Sequence, residues 1–204
     1  SPRGIGTDYV LVVQMIAVRT YETHEVSCLK LCYQFTVLLP LGEELDEVPG
    51  YTADPVGDLA AQLTPGLLQK YTGRALLITT GACAIHCRYC FRRHFPYRDT
   101  APIAQRWQAS VDAIQRDSSI EEVVLSGGDP LTLTDRALAV LADRLAAIGH
   151  LRRLRVHTRL PVVIPERVTS ELLAWLRGTR LTPLVVIHAN HPAELDEAVG
   201  VGHD

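Results

Sequence analysis

From residue 74 onward, strand-like and helix-like segments alternate along the chain, and this alternation constrains the fold more than any other feature. Short apolar runs predict four strands, over residues 74–80, 122–125, 154–158 and 184–188. Apolar positions at steps of three and four predict helices over 101–116, 134–148 and 169–176, with Thr134 as an N-cap and a further helix beginning at 192. Strands that alternate with helices form right-handed βαβ units around a parallel sheet. The sequence therefore predicts an α/β fold with four βα units.

Three cysteines lie on the loop that follows the first predicted strand, at the end where β/α proteins build their sites. Cys83, Cys87 and Cys90 are separated by three and then two residues. Three thiolates can hold three corners of an iron–sulfur cube and leave one iron open to another ligand. Zinc sites more often add a second Cys-x-x-Cys pair downstream, and no cysteine follows Cys90. A structural metal knuckle or a set of buried thiols is the alternative, but Arg88 and Arg92 among the cysteines argue against core packing.

Composition limits the class of protein. The 204 residues, 47% of them hydrophobic, suffice for one sizeable globular domain. A net charge of −3 gives no reason to expect nucleic acid or an anionic membrane as a partner. The apolar stretch 9–18 is interrupted by Gln14 and is too short to span a bilayer. Five cysteines in a chain of this length fit metal binding in a reducing compartment better than a disulfide framework, so we expect a cytoplasmic protein.

The cysteine spacing resembles the signature of the radical S-adenosylmethionine (SAM) enzymes. In that superfamily an aromatic residue usually precedes the third cysteine, as Tyr89 does here. Four further motifs, within a stretch of roughly 38–199, are similar to those of the lysine 2,3-aminomutase family. They are Cys90-Phe-Arg-Arg-His-Phe-Pro-Tyr, Leu125-Ser-Gly-Gly-Asp-Pro-Leu, Arg155-Val-His-Thr-Arg-Leu-Pro-Val and His188-Ala-Asn-His-Pro. The first motif most resembles the branch of the family that serves elongation factor P.

The resemblance implies a fold and a division of the chain. The radical SAM core is usually a partial (β/α) barrel of six βα units, of which about four are present here, so we interpret the chain as truncated at its C-terminus. Residues 1–34 are then an unassigned leader, for which a frame error is one explanation. Residues 35–73 are expected to form an N-terminal helical extension, and residues 74–204 the incomplete barrel. Its last strand would leave an open sheet edge.

The resemblance also implies a set of cofactors and partners. The open iron of a 4Fe–4S cluster binds SAM, and an electron from a reductant protein such as flavodoxin or ferredoxin cleaves it to a 5′-deoxyadenosyl radical. The radical abstracts hydrogen from lysine held on pyridoxal 5′-phosphate, and the amino group moves from C2 to C3. A partner ligase then attaches the β-lysine to elongation factor P.

The roles of individual residues follow from the same resemblance. The turn after the second strand is expected at the methionine amino group of SAM, although it could be a plain tight turn. Basic residues beside the cysteines could be either a solvated surface or an anion site, and Arg93 and Arg98 are expected to be surface charge. A histidine at a strand end is often only structural. The assigned residues are Ser126, Gly127, Gly128 and Asp129 for SAM, Arg92 for the lysine carboxylate, Arg74 for the cofactor phosphate, and Tyr89 and His188 for a cofactor contact.

Lysine usage departs from the family pattern. The chain has only Lys30 and Lys70, and both precede the cysteine loop. The lysine that holds pyridoxal phosphate, and the acidic residues that hold the substrate ammonium, are therefore expected beyond residue 204. The chain is predicted to bind a cluster but not to complete the rearrangement.

Two alternatives remain open from the sequence. Cys28 and Cys32 could supply a fourth ligand, which would make the chain a metal-binding module or an electron carrier. A radical SAM enzyme could also act on another substrate, such as an RNA base or a peptide.

Overall fold

The computed structural model describes residues 10–15, 46–87, 90–97, 103–189 and 194. Within these ranges the chain forms seven strands, which belong to one sheet, and four α-helices. The strands are β1 Val10–Met15, β2 Gln62–Thr64, β3 Leu67–Tyr71, β4 Arg74–Thr80, β5 Glu122–Gly127, β6 Arg153–Thr158 and β7 Thr182–Ala189. The helices are α1 Ile103–Arg116, α2 Asp135–Ala146, α3 Leu160–Val163 and α4 Ser170–Gly178.

The four predicted strands stand side by side in chain order. β4, β5, β6 and β7 are parallel to one another. The chain passes through α1, α2 and α4 between successive strands, which makes three βαβ units. The α/β class and the order of a partial barrel are thus confirmed, and the sheet does not close within the described ranges. The helix predicted to begin at 192 lies outside them.

Threonine residues are the N-caps of two of the crossover helices. Thr134 Oγ1 accepts a hydrogen bond from Ala137 N (3.3 Å), and Thr169 Oγ1 accepts one from Leu172 N (3.1 Å). Each bond satisfies one of the amide groups that the first turn of a helix leaves without a partner. The N-cap predicted at Thr134 is confirmed. Helix α2 ends two residues earlier than predicted, and the Arg180 guanidinium donates to the freed Ala146 carbonyl (2.7 Å).

One face of the parallel sheet packs against the helices and forms the core. The strands place alternate residues on this face, and the helices contribute residues at steps of three and four. Buried core residues include Ala75, Leu77, Val123, Leu125, Leu154 and Val156 from the strands and Trp107, Ile114, Leu138, Leu141, Leu145, Leu172, Trp175 and Leu176 from the helices.

None of the described helices has both the length and the apolar character that a membrane span needs.

A helical extension was predicted over residues 35–73, but the described part of this segment, residues 46–73, contains no helix. These residues form turns and the strands β2 and β3, which are antiparallel to each other, and β3 is antiparallel to β4. Gly66 and Gly73 lie in the two connecting turns with φ of 86° and 80°. Only glycine adopts a positive φ readily, and a residue with this backbone conformation cannot continue a right-handed helix. The division of the chain near residue 74 stays a prediction.

The strand β1 comes from the segment interpreted as a leader. It is parallel to β7, with Val10 opposite Leu184 and Met15 opposite Ala189. Its run of valines and leucine favours a strand. The edge of β7 that was expected to be open is therefore paired, while the rest of residues 1–34 lies outside the described ranges.

Truncation of Leu138 to alanine is expected to lower the free energy of unfolding by about 2–5 kcal/mol, because the side chain is fully buried and would leave a cavity. The matched control is Val140→Ala on the same helix, whose side chain is 46% exposed. This control should change the free energy by less than about 0.5 kcal/mol. Urea unfolding followed by circular dichroism measures both variants, and equal losses would contradict the assigned core.

Candidate active site

The three cysteines lie on a loop, residues 81–97, that leaves the carboxyl end of β4. Cys83 and Cys87 are half-buried and Cys90 is exposed. A turn folds the loop back on itself, with Cys90 N donating to Cys87 O at 3.1 Å. Burial, together with the charges of Asp129 and of the other two thiols, raises the pKa of Cys83 to about 12. The three sulfurs are therefore close enough to influence one another.

The turn after β5 packs directly against the start of this loop. Gly128 N donates to Thr80 O and Asp129 N donates to Ala82 O, both at 2.8 Å. A Cβ on Gly128 would lie 2.2 Å from Ala82 O, which leaves no room for a side chain. Gly127 has a φ of 120°, and a Cβ there would lie 2.5 Å from Thr80 O. Both glycines are thus required for contact with the cysteine loop, and their predicted contact with a ligand stays a prediction.

The far end of the cysteine loop returns to the same turn. The Tyr97 hydroxyl donates to Gly127 O at 2.9 Å. Its ring lies so close to Gly81 that a Cβ there would be 2.8 Å from it. The loop is therefore attached to the β5 turn at both ends, and the cysteines lie between the two attachments.

Asp129 connects this turn to the end of β6. Its carboxylate is buried and accepts four hydrogen bonds. The donors are Leu131 N (3.0 Å) and Thr158 Oγ1 (2.7 Å) to Oδ1, and Arg159 N (2.7 Å) and Leu160 N (3.2 Å) to Oδ2. Burial raises the pKa of Asp129, and the donors oppose this rise. A methionine amino group would have to share the carboxylate with these donors, so we interpret Asp129 first as a positioning residue.

Arg92 belongs to the cysteine loop, and its side chain is buried against the sheet. Its Nε pairs with Asp58 Oδ2 at 2.6 Å, and its Nη1 donates to Ser126 Oγ at 3.1 Å. The ring of Phe91 lies 4.7 Å from the guanidinium carbon. Asp58 is also buried and pairs with Lys70 through its other oxygen. Sequence reasoning missed Asp58, because no local pattern marks a single acid in an irregular segment.

A second arginine contacts one of the cysteines. Arg159 Nη1 donates to Cys87 Sγ at 3.6 Å, and its Nη2 pairs with Glu194 Oε1 at 2.9 Å. Burial raises the pKa of Cys87, and the Arg159 guanidinium opposes this rise. Sequence reasoning assigned no role to Arg159 or Glu194, since their contacts join segments far apart in the chain.

The sheet face opposite the helices carries polar side chains, and we call it the polar face. It includes Ser126, Arg155, His157 and His188, which alternate along their strands with core residues. The Nε2 atom of His157 is buried and has no hydrogen-bond partner among the described residues. Burial, together with neighbouring positive charges, that of Arg155 first, lowers the pKa of His157 to about 4. Burial also lowers the pKa of His188. Both rings are therefore neutral at pH 7.

Arg74 lies at the other end of β4 from the cysteines. At about 3.3 Å per residue, the length of the strand separates Arg74 from the cysteine loop by roughly 20 Å. Its Nε pairs with Glu122 Oε1 at 3.1 Å, and Arg153 and Arg155 pair with the same buried carboxylate. The structure does not bring Arg74 to the cysteines, and its contact with a cofactor phosphate stays a prediction.

Three thiols on one loop are a donor set for an iron–sulfur cluster with one open iron. Among the described residues, no three histidine, cysteine or acidic side chains are grouped closely enough to hold a single metal ion. Several residues with predicted roles lie outside the described ranges: Cys28, Lys30, Cys32, Arg88, Tyr89, Arg98 and His191.

Four parallel strands with a three-cysteine loop after the first of them, β4, define a class of protein, and comparison with known families agrees. The Radical SAM superfamily matches residues 77–189, from β4 through β7, and the chain belongs to it. Within the superfamily, the chain is similar to proteins named L-lysine 2,3-aminomutase. It is 48% identical over 154 residues to the protein of Haemophilus influenzae, which covers 76% of this chain and 46% of that protein.

Two further relatives carry the same name. The Escherichia coli protein is 43% identical over 155 residues, covering 76% of this chain and 45% of that protein. The Clostridium subterminale protein is 34% identical over 161 residues, covering 78% of this chain and 38% of that protein. The chain spans less than half the length of these relatives. The predicted resemblance is confirmed.

Substitution of Gly128 by alanine is expected to destabilise the protein by about 1–3 kcal/mol, because the added methyl group would overlap the Ala82 carbonyl. Gly149→Ala is the matched control, since nothing lies within 4 Å of its added methyl group. Denaturant unfolding of both variants measures the difference. A Gly128→Ala protein as stable as the control would contradict the close packing of the β5 turn on the cysteine loop.

Loss of His157 is expected to flatten the dependence of stability on pH. Its pKa lies near 4 in the folded protein and near 6.5 in the unfolded chain, so only the unfolded chain binds the proton between these values. Acidification from pH 6.5 to 4 should therefore cost the wild type about 3 kcal/mol more than His157→Gln. Denaturant unfolding at steps of pH measures both proteins, and parallel curves would show that the ring is not buried as a neutral group.

Proposed function

We propose that Cys83, Cys87 and Cys90 hold a 4Fe–4S cluster whose fourth iron binds SAM. The observation that carries the proposal is the attachment of the cysteine loop, at both ends, to the β5 turn. This loop offers three thiols, and no fourth cysteine lies among the described residues, which would leave one corner of a cube open. When bound, the cluster supplies the electron that cleaves SAM to a 5′-deoxyadenosyl radical.

The chain's own residues orient the reactants around that cluster. Ser126, Gly127 and Gly128 are proposed to receive the methionine end of SAM, because their turn adjoins the cysteine loop. Asp129 fixes the turn through its four donors, and Tyr89 is proposed to flank the adenosyl group. A parallel sheet presents the carboxyl ends of its strands at one mouth, which brings these parts together.

We further propose that the substrate is lysine and that the reaction is that of a lysine 2,3-aminomutase, an isomerase. Arg92 is the proposed partner of the lysine carboxylate, because a guanidinium can bind a carboxylate through two parallel hydrogen bonds. Its pairing with Asp58 and Ser126 orients the group in advance. The names of the relatives support this substrate, and the matched region covers less than half of their length.

Pyridoxal phosphate is the proposed second cofactor, but the described residues do not supply a free lysine as its anchor. Lys70 pairs with Asp58 and donates to Val56 O, so it is engaged elsewhere. Lys30, the only other lysine in the sequence, lies outside the described residues. Arg74 and His188 remain proposed contacts of this cofactor.

The remaining proposals concern partners and location. The run 91–97 supports a link to elongation factor P and its lysyl ligase. A flavodoxin or ferredoxin is the proposed reductant. The cytoplasm is the proposed compartment, since it keeps thiols reduced for cluster binding.

Anaerobic reconstitution of the chain is expected to give about four irons per molecule, and addition of reductant and SAM is expected to give 5′-deoxyadenosine. Substitution of Cys83, Cys87 or Cys90 by serine should abolish both, because each removes one corner of the cluster. Iron and sulfide analysis, electron paramagnetic resonance and product chromatography measure these outcomes.

Cys28→Ser and Cys32→Ser are the matched controls, and they should retain the cluster. Loss of iron from either control would mean that the cluster is fully held by protein ligands, as in an electron carrier. A loaded wild-type protein that yields no 5′-deoxyadenosine would overturn the proposed function.

A further inference from the structure

Arg159 contacts the cysteine loop, and both its backbone and its guanidinium are held by carboxylates. Its backbone N donates to Asp129 Oδ2 at 2.7 Å. Its guanidinium reaches Cys87 Sγ through Nη1 at 3.6 Å and Glu194 Oε1 through Nη2 at 2.9 Å. The side chains of Arg159 and Glu194 are only 12% and 9% exposed. Arg159 and Glu194 therefore form a largely buried ion pair, and Arg159 is not a solvated surface charge.

The planar guanidinium explains how one side chain serves two acceptors. Its N–H groups point outward in a fixed fork, so that one can face a carboxylate while another faces a sulfur. Glu194 fixes the orientation of the fork through a charge-assisted bond. Asp129 fixes the position of the Arg159 backbone, and Asp129 N itself donates to Ala82 O at the start of the cysteine loop. The contact with Cys87 is thus supported from both sides.

We infer that Arg159 is a positioning residue for the cluster. Its guanidinium donates a hydrogen bond to the Cys87 sulfur and thereby raises the reduction potential of the cluster. This inference rests on the proposed function, in which Cys87 is a cluster ligand. Reduction adds one negative charge to the cluster and its thiolates. A donor aimed at a ligand sulfur, together with a nearby positive charge, stabilises the reduced form more than the oxidised form. Glu194 opposes part of this effect, because its negative charge lies on the other side of the guanidinium.

Arg159→Met is expected to lower the reduction potential, because methionine keeps much of the length of the side chain but removes its donors and its charge. The expected change is at least tenfold in the reduction equilibrium, which corresponds to about 59 mV for one electron. Glu194→Gln should shift the potential in the opposite direction, since it removes the opposing charge. A redox titration followed by electron paramagnetic resonance on the reconstituted full chain measures both shifts, and it does not require enzyme turnover.

Two further variants test the planar guanidinium and the position of the charge. Arg159→Lys keeps a positive charge and N–H donors as a compact ammonium, which cannot serve both acceptors in the same planar geometry. It should recover less than half of the shift. Arg155→Met removes an equal charge from β6, the strand that precedes Arg159, at a residue that pairs with Glu122 instead of the cysteine loop. The potential in Arg155→Met should change by only a small fraction of the change seen in Arg159→Met.

The outcomes distinguish this inference from the proposed function. A wild-type chain that takes up no cluster overturns the proposed function. A wild-type cluster whose potential is equal in Arg159→Met overturns the inference alone, and full recovery in Arg159→Lys overturns the role of the planar guanidinium. If Arg159→Met retains no iron, Glu194→Gln decides, because an unchanged potential in that variant overturns the inference.

Discussion

The candidate site depends on the close contact between the β5 turn and the cysteine loop. Two backbone hydrogen bonds of 2.8 Å, from Gly128 and Asp129, join the turn to Thr80 and Ala82. This approach is possible only because residue 128 lacks a side chain. Backbone groups that bond to each other in this way hold the loop in one position before any ligand arrives. Preorganisation of this kind reduces the entropy that ligand binding has to overcome.

Asp129 extends this contact to the next strand. Its carboxylate gathers donors from the turn, from Thr158 and from the start of α3, so three consecutive segments meet at one buried charge. A buried carboxylate is stable only when its oxygens are fully hydrogen-bonded. The same residue fixes the Arg159 backbone, whose guanidinium reaches Cys87. The cysteine loop, the β5 turn and the end of β6 therefore form one connected unit.

The sequence predicted the features that short patterns determine. The strand over 74–80 and the N-cap at Thr134 follow from apolar runs and from a single capping residue, and the structure has both. The cysteine spacing led to the family, because three ligands within eight residues are a local signal. The strands β2 and β3 were missed, since their hairpin depends on two glycines with positive φ and on pairing with β4. Asp58 and Arg159 were missed because their partners lie 34 and 72 residues away.

Glu122 has a consequence for the electrostatics of the polar face. This one buried carboxylate pairs with Arg74, Arg153 and Arg155, so these four side chains together carry an excess of two positive charges. An excess of charge against a low-dielectric sheet creates a local positive field. A small anion would therefore be attracted to this charge cluster, at the end of the sheet where β4, β5 and β6 begin. Dissolved salt weakens this attraction, because counterions screen the exposed parts of the three arginines over about 8–10 Å.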